Sequence, residues 1–186
     1  MIQIQIDEKQ IQKAQMLLKG IKGGASKAIA RALNHTITKV KTVTVKEVRK
    51  VYNIPAKELN SRMKSTNARA GSNMEVSLGI WDLGIPLIQF YVGKPSTARK
   101  AVRVRIKKAA KLLPGAFIRA PEDKLGVFIR AGEARYPIKR LYGPSAAQMA
   151  ESDVVGHEVI QFGQRTFSER LEHEIWWLMN GGGANK

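Results

Sequence analysis

The spacing of apolar residues along the chain predicts three substantial helices. Asp7 is a candidate N-cap, and the apolar residues that follow it over about four turns predict a first helix that ends in the glycines of 20–24. From 29 to 51, apolar or neutral residues recur every three or four positions. This spacing predicts a long helix, although 36–45 is rich in β-branched residues that favour strands. A similar stripe over 154–179 predicts a C-terminal helix.

The middle of the chain predicts short strands separated by turns. Pro55 suits the first turn of a short helix that carries Leu59 and Met63, and the polar residues 65–73 predict a loop. Ser145 precedes another short helix that ends at Ala150. Five apolar runs predict strands at 74–80, 85–91, 101–106, 115–118 and 126–129. This order predicts an α+β fold with N-terminal helices, one of them long and basic, a small and mainly antiparallel sheet of about five strands, and a C-terminal helix packed on it.

The length of 186 residues predicts a single α+β domain over 1–186. Within it, 1–24 form a possible N-terminal arm or helix, 92–111 a basic loop or hairpin arm, and 180–186 a flexible tail. Alternation of Ile2, Ile4 and Ile6 with glutamines indicates a strand or an extended segment. No apolar run reaches the roughly eighteen residues that a membrane helix requires, so we predict that no segment spans a membrane, and we do not expect a membrane among the partners. The absence of cysteine excludes disulfides and fits a reducing compartment.

The formal net charge of +17 is the strongest signal in the composition. Self-repulsion at this charge density destabilises an isolated compact monomer, and a negatively charged partner relieves it. Nucleic acid is the first such partner to consider, an acidic protein surface the second and a membrane surface the third.

The basic residues concentrate in two blocks. Around 94–111, Val102 and Val104 alternate with Arg103 and Arg105, so on a strand both arginines point away from the core. The second block is on the long helix. A helix face exposed to solvent would explain these charges equally well without any binding partner. We predict contacts with DNA or with an acidic partner for the following residues: Lys94, Arg99, Lys100, Arg103, Arg105, Lys107, Lys108 and Lys111 of the first block, and Lys39, Lys46, Arg49 and Lys50 of the second.

The C-terminal helix has the opposite charge. Between 151 and 174 there are six acidic residues and two arginines. A chain with one basic and one acidic face can bind its own copies head to tail, and such contacts close into a ring when the rotation permits. We predict a subunit interface that contains Glu169, Glu172, Glu174, Trp176 and Trp177. One of the two adjacent tryptophans faces inward at helical spacing, and packing in a core or between subunits is the role we expect for Trp81 and Tyr91 as well.

The sequence does not predict catalysis. His157 and His173 have acidic neighbours in the chain, but adjacent helical positions point apart and cannot share a metal ion. Metalloprotease, P-loop and dinucleotide-binding patterns are absent from the sequence. We therefore predict no catalytic, cofactor-binding or metal-binding residues.

Three segments resemble a known family. LPGAFI at 113–118, GVFIR at 126–130 and YPIKRLYGPSAAQM at 136–149 are similar to the phage minor tail protein Z family. The glutamate-rich LEHEIWWL at 171–178 and the basic helix that runs into 51–62 resemble that family as well. The spacing of Pro-Gly-Ala-Phe and Gly-Pro-Ser is more specific than a general turn pattern.

The resemblance implies a structural virion protein, made in the host cytoplasm, that acts in tail completion at the neck of the virion. It implies a ring of copies around the DNA channel, expected to number six, at the head-proximal end of the tail. It further implies contacts with tail-terminator or tube proteins and with head-connector proteins. Contacts with genomic DNA through its phosphates are an expectation that the basic residues add. No cofactor and no catalytic residue come with the resemblance. Two alternatives stay open: a non-specific nucleic-acid-binding protein that uses the basic arm, and an enzyme that acts on a polyanion.

Overall fold

A computed structural model describes residues 7–71, 74–93, 101–121 and 124–181. Its helices are α1 (Glu8–Leu17), α2 (Gly24–Val51), α3 (Ala56–Asn60), α4 (Ala146–Ala150) and α5 (Asp153–Met179). Its strands are β1 (Met63–Thr66), β2 (Ser77–Ile80), β3 (Gly84–Pro86), β4 (Tyr91–Val92), β5 (Ala101–Arg105), β6 (Lys111–Pro114), β7 (Phe117–Arg119), β8 (Gly126–Arg130), β9 (Ile138–Arg140) and β10 (Tyr142–Ser145). The α+β class is confirmed.

The residues group into two compact units. One, called here the helical unit, consists of 1–44, 63–79 and 151–186, and the other, the strand unit, consists of 45–62 and 80–150. The strand unit contains 19 Lys and Arg residues against 6 Asp and Glu residues, a formal net charge of +13. The helical unit contains 13 against 9, a net charge of +4. Most of the excess positive charge therefore belongs to the strand unit.

The core of the helical unit lies between α1, α2 and α5. Ala14 of α1, Ala28 and Ala32 of α2, and Phe167 and Leu171 of α5 are all buried in one cluster. The small side chains of α1 and α2 let the helix backbones approach closely while Phe167 and Leu171 fill the space between them. In this structure α5 thus packs on the long helix α2.

The long helix continues through its β-branched middle, as the three-to-four-residue spacing predicts. Thr36 and Thr44 are buried there, and their hydroxyls donate to the carbonyls of Ala32 and Val40, each at 2.8 Å. These bonds within the helix satisfy the hydroxyls, so burying them carries little cost. At α1, Asp7 is the predicted N-cap and accepts a hydrogen bond from the backbone N–H of Lys9 at 2.9 Å.

The strands form several small sheets. β10 pairs with β3, β5 lies between β4 and β6, and β8 lies between β7 and β9, all antiparallel. A fourth sheet pairs β1 with β2. The antiparallel pairing is confirmed, but β1, β6, β9 and β10 were not predicted as strands. The prediction of one strand over 85–91 is wrong, because a 3₁₀ turn at Leu87–Gln89 separates β3 from β4.

Two further local predictions need correction. Met63 lies on β1 rather than on the short helix, and β1 also occupies the first residues of the predicted loop 65–73. The strand or extended segment predicted around Ile2, Ile4 and Ile6 lies outside the described residues, as does most of the predicted tail.

Glycines of the 112–145 segment occupy positions that exclude a side chain. Gly115 has φ of +71° in the turn between β6 and β7, a conformation that L-residues rarely adopt. At Gly143, an added Cβ would lie 2.7 Å from Cε2 of Phe90, whose ring is buried. The Pro-Gly and Gly-Pro motifs of this segment are therefore requirements of backbone geometry and of close packing.

The Gly-Pro-Ser motif ends in a helix cap. The backbone N–H of Gln148 donates to Oγ of Ser145, and the N–H of Ser145 donates to Oε1 of Gln148, both at 3.1 Å. This reciprocal pair is a capping box at the start of α4. The Ser145 hydroxyl donates in turn to the Asp82 carboxylate, which ties α4 to the segment before β3.

Candidate interaction surfaces

The basic strand β5 alternates between core and solvent as its sequence predicts. Val102 and Val104 are fully buried, whereas Arg103 and Arg105 are exposed. Because β5 is the central strand of its sheet, the two arginines stand in the middle of the outer face rather than at an edge.

Neighbouring strands place apolar side chains beside these arginines. Tyr91 of β4 lies opposite Arg105, and the guanidinium carbon is 5.4 Å from the centre of the tyrosine ring. Leu112 of β6 lies opposite Arg103. We call Tyr91, Arg103, Arg105 and Leu112 the arginine face. Tyr91 is 59% exposed, so packing in the core of this chain, one of the two roles expected for it, does not occur; the same holds for Trp81, which is 55% exposed.

The other predicted basic contacts are placed as follows. Lys107, Lys108 and Lys111 are exposed after or opposite β5. On α2, Lys39, Lys46, Arg49 and Lys50 are exposed, and Lys50 pairs with Glu47 at 2.7 Å. Lys94, Arg99 and Lys100 lie outside the described residues. The described residues of this set are therefore accessible to a binding partner.

The helix α5 exposes a long stripe in which three of the four charged residues are acidic. Its members are spaced by three or four positions and all are exposed: Val154, Glu158, Gln161, Arg165, Glu169, Glu172 and Trp176. We call this set the acidic stripe. Its ion pairs are weak, because Arg165 to Glu169 and Lys13 to Glu172 each measure 4.0 Å between exposed groups. Trp176 is 63% exposed at one end of the stripe.

Glu174 and Trp177, which we predicted at a subunit interface, lie on the inner side of α5. The Glu174 side chain is only 3% exposed and accepts hydrogen bonds from Nη2 of Arg170 at 2.5 Å and Nη1 of Arg31 at 3.5 Å. The Arg31 guanidinium lies over the Trp177 ring, 4.7 Å from its centre. Trp177 packs against the core of the helical unit. Of the two adjacent tryptophans, it is therefore the one that faces inward.

These side chains surround an open cleft of about 430 Å³ in the helical unit. Its lining consists of Arg31, Asn34, Arg170, His173, Glu174 and Trp177. The Asn34 side chain already forms two hydrogen bonds. Its oxygen accepts from the N–H of Ala68 at 2.8 Å, and its amide group donates to the carbonyl of Ala68 at 3.0 Å. The two guanidiniums compensate the charge of Glu174, which makes it an internal structural carboxylate.

His35 lies near this group of charges. Burial lowers the pKa of His35 below its usual 6.5, and the positive charges of Arg170 and Lys39 lower it further, against an opposing effect of Glu174. Across the described ranges, no cluster of three or more His, Asp or Glu residues could hold a metal ion. No helix in the part of the chain that the structure describes is long and apolar enough to cross a membrane.

The arginine face and the acidic stripe are exposed surfaces of opposite charge, and charged surfaces of this kind guide association with other macromolecules. A model of the family described as prophage minor tail protein Z matches residues 9–178. The chain therefore belongs to the prophage minor tail protein Z family and is a structural component of a tailed-phage virion. Searches among curated proteins and among solved structures find no match.

Proposed function

We propose that this minor tail protein completes the tail at its head-proximal end, where its copies form a ring around the DNA channel and help join the tail to the head. The observation that carries the proposal is the presence of two exposed, oppositely charged surfaces on one chain, the arginine face on β4–β6 and the acidic stripe on α5. A pair of different complementary surfaces produces head-to-tail contacts, and these close into a ring when the rotation between copies permits.

The charge of the strand unit supports a position beside DNA or an acidic neighbour. A net +13 on this unit repels itself, and phosphates or carboxylates nearby would relieve that repulsion. We assign such contacts to the exposed residues Lys46, Arg49 and Lys50 of α2, which belong to this unit, and to Lys39, which precedes them on α2 and belongs to the helical unit. The expected number of six copies follows from the family resemblance and from the symmetry of the tail.

Deleting the gene in a phage that can be complemented tests the proposal. We expect DNA-filled heads and tails of normal length that fail to join productively, and we expect a plasmid copy of the wild-type gene to restore infectious particles. Electron microscopy of the lysate, with counts of free heads, free tails and joined particles, gives the result. Absent or short tails would instead assign the protein to tail assembly and contradict the completion role.

Ring formation has a separate measurement. Sedimentation of the purified full chain should show a defined oligomer at low salt that dissociates as the salt concentration rises, because the contacts are electrostatic. A monomer at high protein concentration and low salt would contradict the ring. Salt-dependent affinity for DNA measures the phosphate contacts independently of the oligomer.

A further inference from the structure

We propose that the acidic stripe of one copy docks on the arginine face of the next copy, so that these two surfaces form the contact that closes the ring. The inference rests on the proposed function for the existence of a ring, and it adds the two surfaces that build it. The partner is therefore a second copy of this same chain.

Charge complementarity is the first argument. The acidic stripe carries three glutamates, Glu158, Glu169 and Glu172, against one arginine. The arginine face carries two arginines, and two exposed lysines, Lys107 and Lys108, follow it directly along the chain. Complementary potentials of this kind set the partner and the register of a protein interface.

The apolar members of the two surfaces give the second argument. Trp176 and Tyr91 are each more than half exposed, and Leu112 is partly exposed beside Arg103. Tryptophan, tyrosine and arginine are the residues that most often dominate the binding energy of protein interfaces. A docked copy would bury the apolar area of Trp176 and Tyr91, and removing this area from water favours association.

Both surfaces can bind a partner at a low cost in free energy. Arg105 is held over the Tyr91 ring, so it loses less side-chain freedom on binding than a free arginine would. Among the described residues, Glu169 and Glu172 of the acidic stripe pair at 4.0 Å with the exposed side chains of Arg165 and Lys13, and breaking these ion pairs costs little. Duplex DNA would account for the arginines, but it would leave the acidic stripe and Trp176 without a role.

Charge reversal in two full-length variants tests the contact. The stripe variant is Glu169→Arg with Glu172→Arg, and the face variant is Arg103→Glu with Arg105→Glu. Each change places like charges across the proposed contact, so we expect each variant alone to sediment as a monomer, with a dissociation constant raised by about a hundredfold.

Mixing the two variants separates this contact from a general effect of charge. When the two variants alternate, one contact joins the two reversed surfaces and the next joins the two wild-type surfaces, so opposite charges meet at both contacts of every subunit. We therefore expect an equimolar mixture to recover the wild-type oligomer. A control variant, Lys57→Glu with Lys64→Glu, changes two exposed lysines outside both surfaces and should assemble like the wild type.

Cross-linking tests the same contact without reversing charges. The chain contains no cysteine, so only introduced thiols react. A Glu172→Cys, Arg105→Cys variant treated with a short flexible bis-maleimide should give a ladder of covalent multimers on a denaturing gel. The matched pair Lys64→Cys, Arg105→Cys should give little of it. This arm remains decisive if a reversed variant fails to fold.

The outcomes separate this inference from the proposed function. Recovery of the oligomer on mixing, together with a specific ladder, supports the contact. An oligomer that persists in both reversed variants, or a ladder equal to that of the control pair, overturns the contact and leaves the ring intact. A wild-type chain that stays monomeric overturns both the contact and the ring, whereas the joining defect of the deletion tests tail completion by itself.

Discussion

The helix α5 contains two Arg–Glu pairs at the same spacing, one buried and one exposed, and they should differ sharply in their contribution to stability. Arg170 and Glu174 are 2.5 Å apart with the carboxylate 3% exposed, whereas Arg165 and Glu169 are 4.0 Å apart with the carboxylate 72% exposed. Glu→Gln keeps the side-chain volume and nearly the same helix propensity, so it removes the charge and little else.

The cost of Glu174→Gln follows from the contacts of this carboxylate. Hydrogen bonds to charged groups contribute about 1.5–3 kcal/mol each when buried. The bond to Arg170 is short and its carboxylate is buried, although the Arg170 side chain is 35% exposed. The bond to Arg31 is long and the Arg31 side chain is 48% exposed, so water replaces much of it. We therefore expect a loss of about 2 kcal/mol. Glu169→Gln should change the stability by less than about 0.5 kcal/mol, as exposed pairs do.

Urea denaturation followed by tryptophan fluorescence measures the difference. Trp177 packs against the core of the helical unit, so its emission reports on the loss of the structure around Glu174. With a slope of about 2 kcal/mol per molar urea, the midpoint of Glu174→Gln should fall by about 1 M. Equal midpoints for the two variants would refute the reasoning, because they would show that burial of Glu174 does not strengthen its pair.

Three further changes have definite expected outcomes. Gly143→Ala should cost about 1–3 kcal/mol of stability and lower the melting temperature, because the new Cβ would lie 2.7 Å from the Phe90 ring. Gly132→Ala is the control and should be neutral, because the space around Gly132 is open. Equal melting temperatures for the two variants would contradict this expectation. Burial and nearby positive charge lower the pKa of His35, so the unfolded chain binds more protons below pH 6.5 and stability should fall as the pH drops below that value. His35→Gln should flatten this dependence in urea titrations from pH 7.5 to 5, and an unchanged slope would exclude the effect. Ser145→Ala removes the cap of α4 and should cost about 1–2 kcal/mol in thermal unfolding, while a cost near zero would show that the capping box is dispensable.

The helices were predictable because their apolar spacing continues over many turns. At α2 this spacing outweighed the strand preference of individual β-branched residues, since a buried stripe is decided by packing and not by local propensity. The alternation in β5 was predictable for the same reason, because Val102 and Val104 face the core on every second position. Both patterns are local, so the sequence alone contains them.

The missed strands are short, and their residues do not form extended apolar runs. β6, β9 and β10 each have three or four residues, and β6 and β10 contain proline, which reads as a turn signal in isolation. β6 and β9 pair with the strands directly before them, β5 and β8, whereas β10 pairs with β3, which lies far earlier in the chain. The burial of Glu174 was missed because acidic residues usually face water. A signal existed, since Glu174 lies between Leu171 and Leu178 on the apolar stripe and has an arginine four positions before it.

The arrangement of the helical unit along the chain determines when it can form during synthesis. Its core joins α1 to α5, and Gln10 donates to the hydroxyl of Ser168 at 2.8 Å across 158 positions. The strand unit uses only residues 45–62 and 80–150, so all of its described elements leave the ribosome before α5 does. The helical unit must wait for the last helix. The acidic stripe and the core behind it are therefore completed at the same moment, and a nascent chain cannot offer this surface to other copies before its own fold is finished.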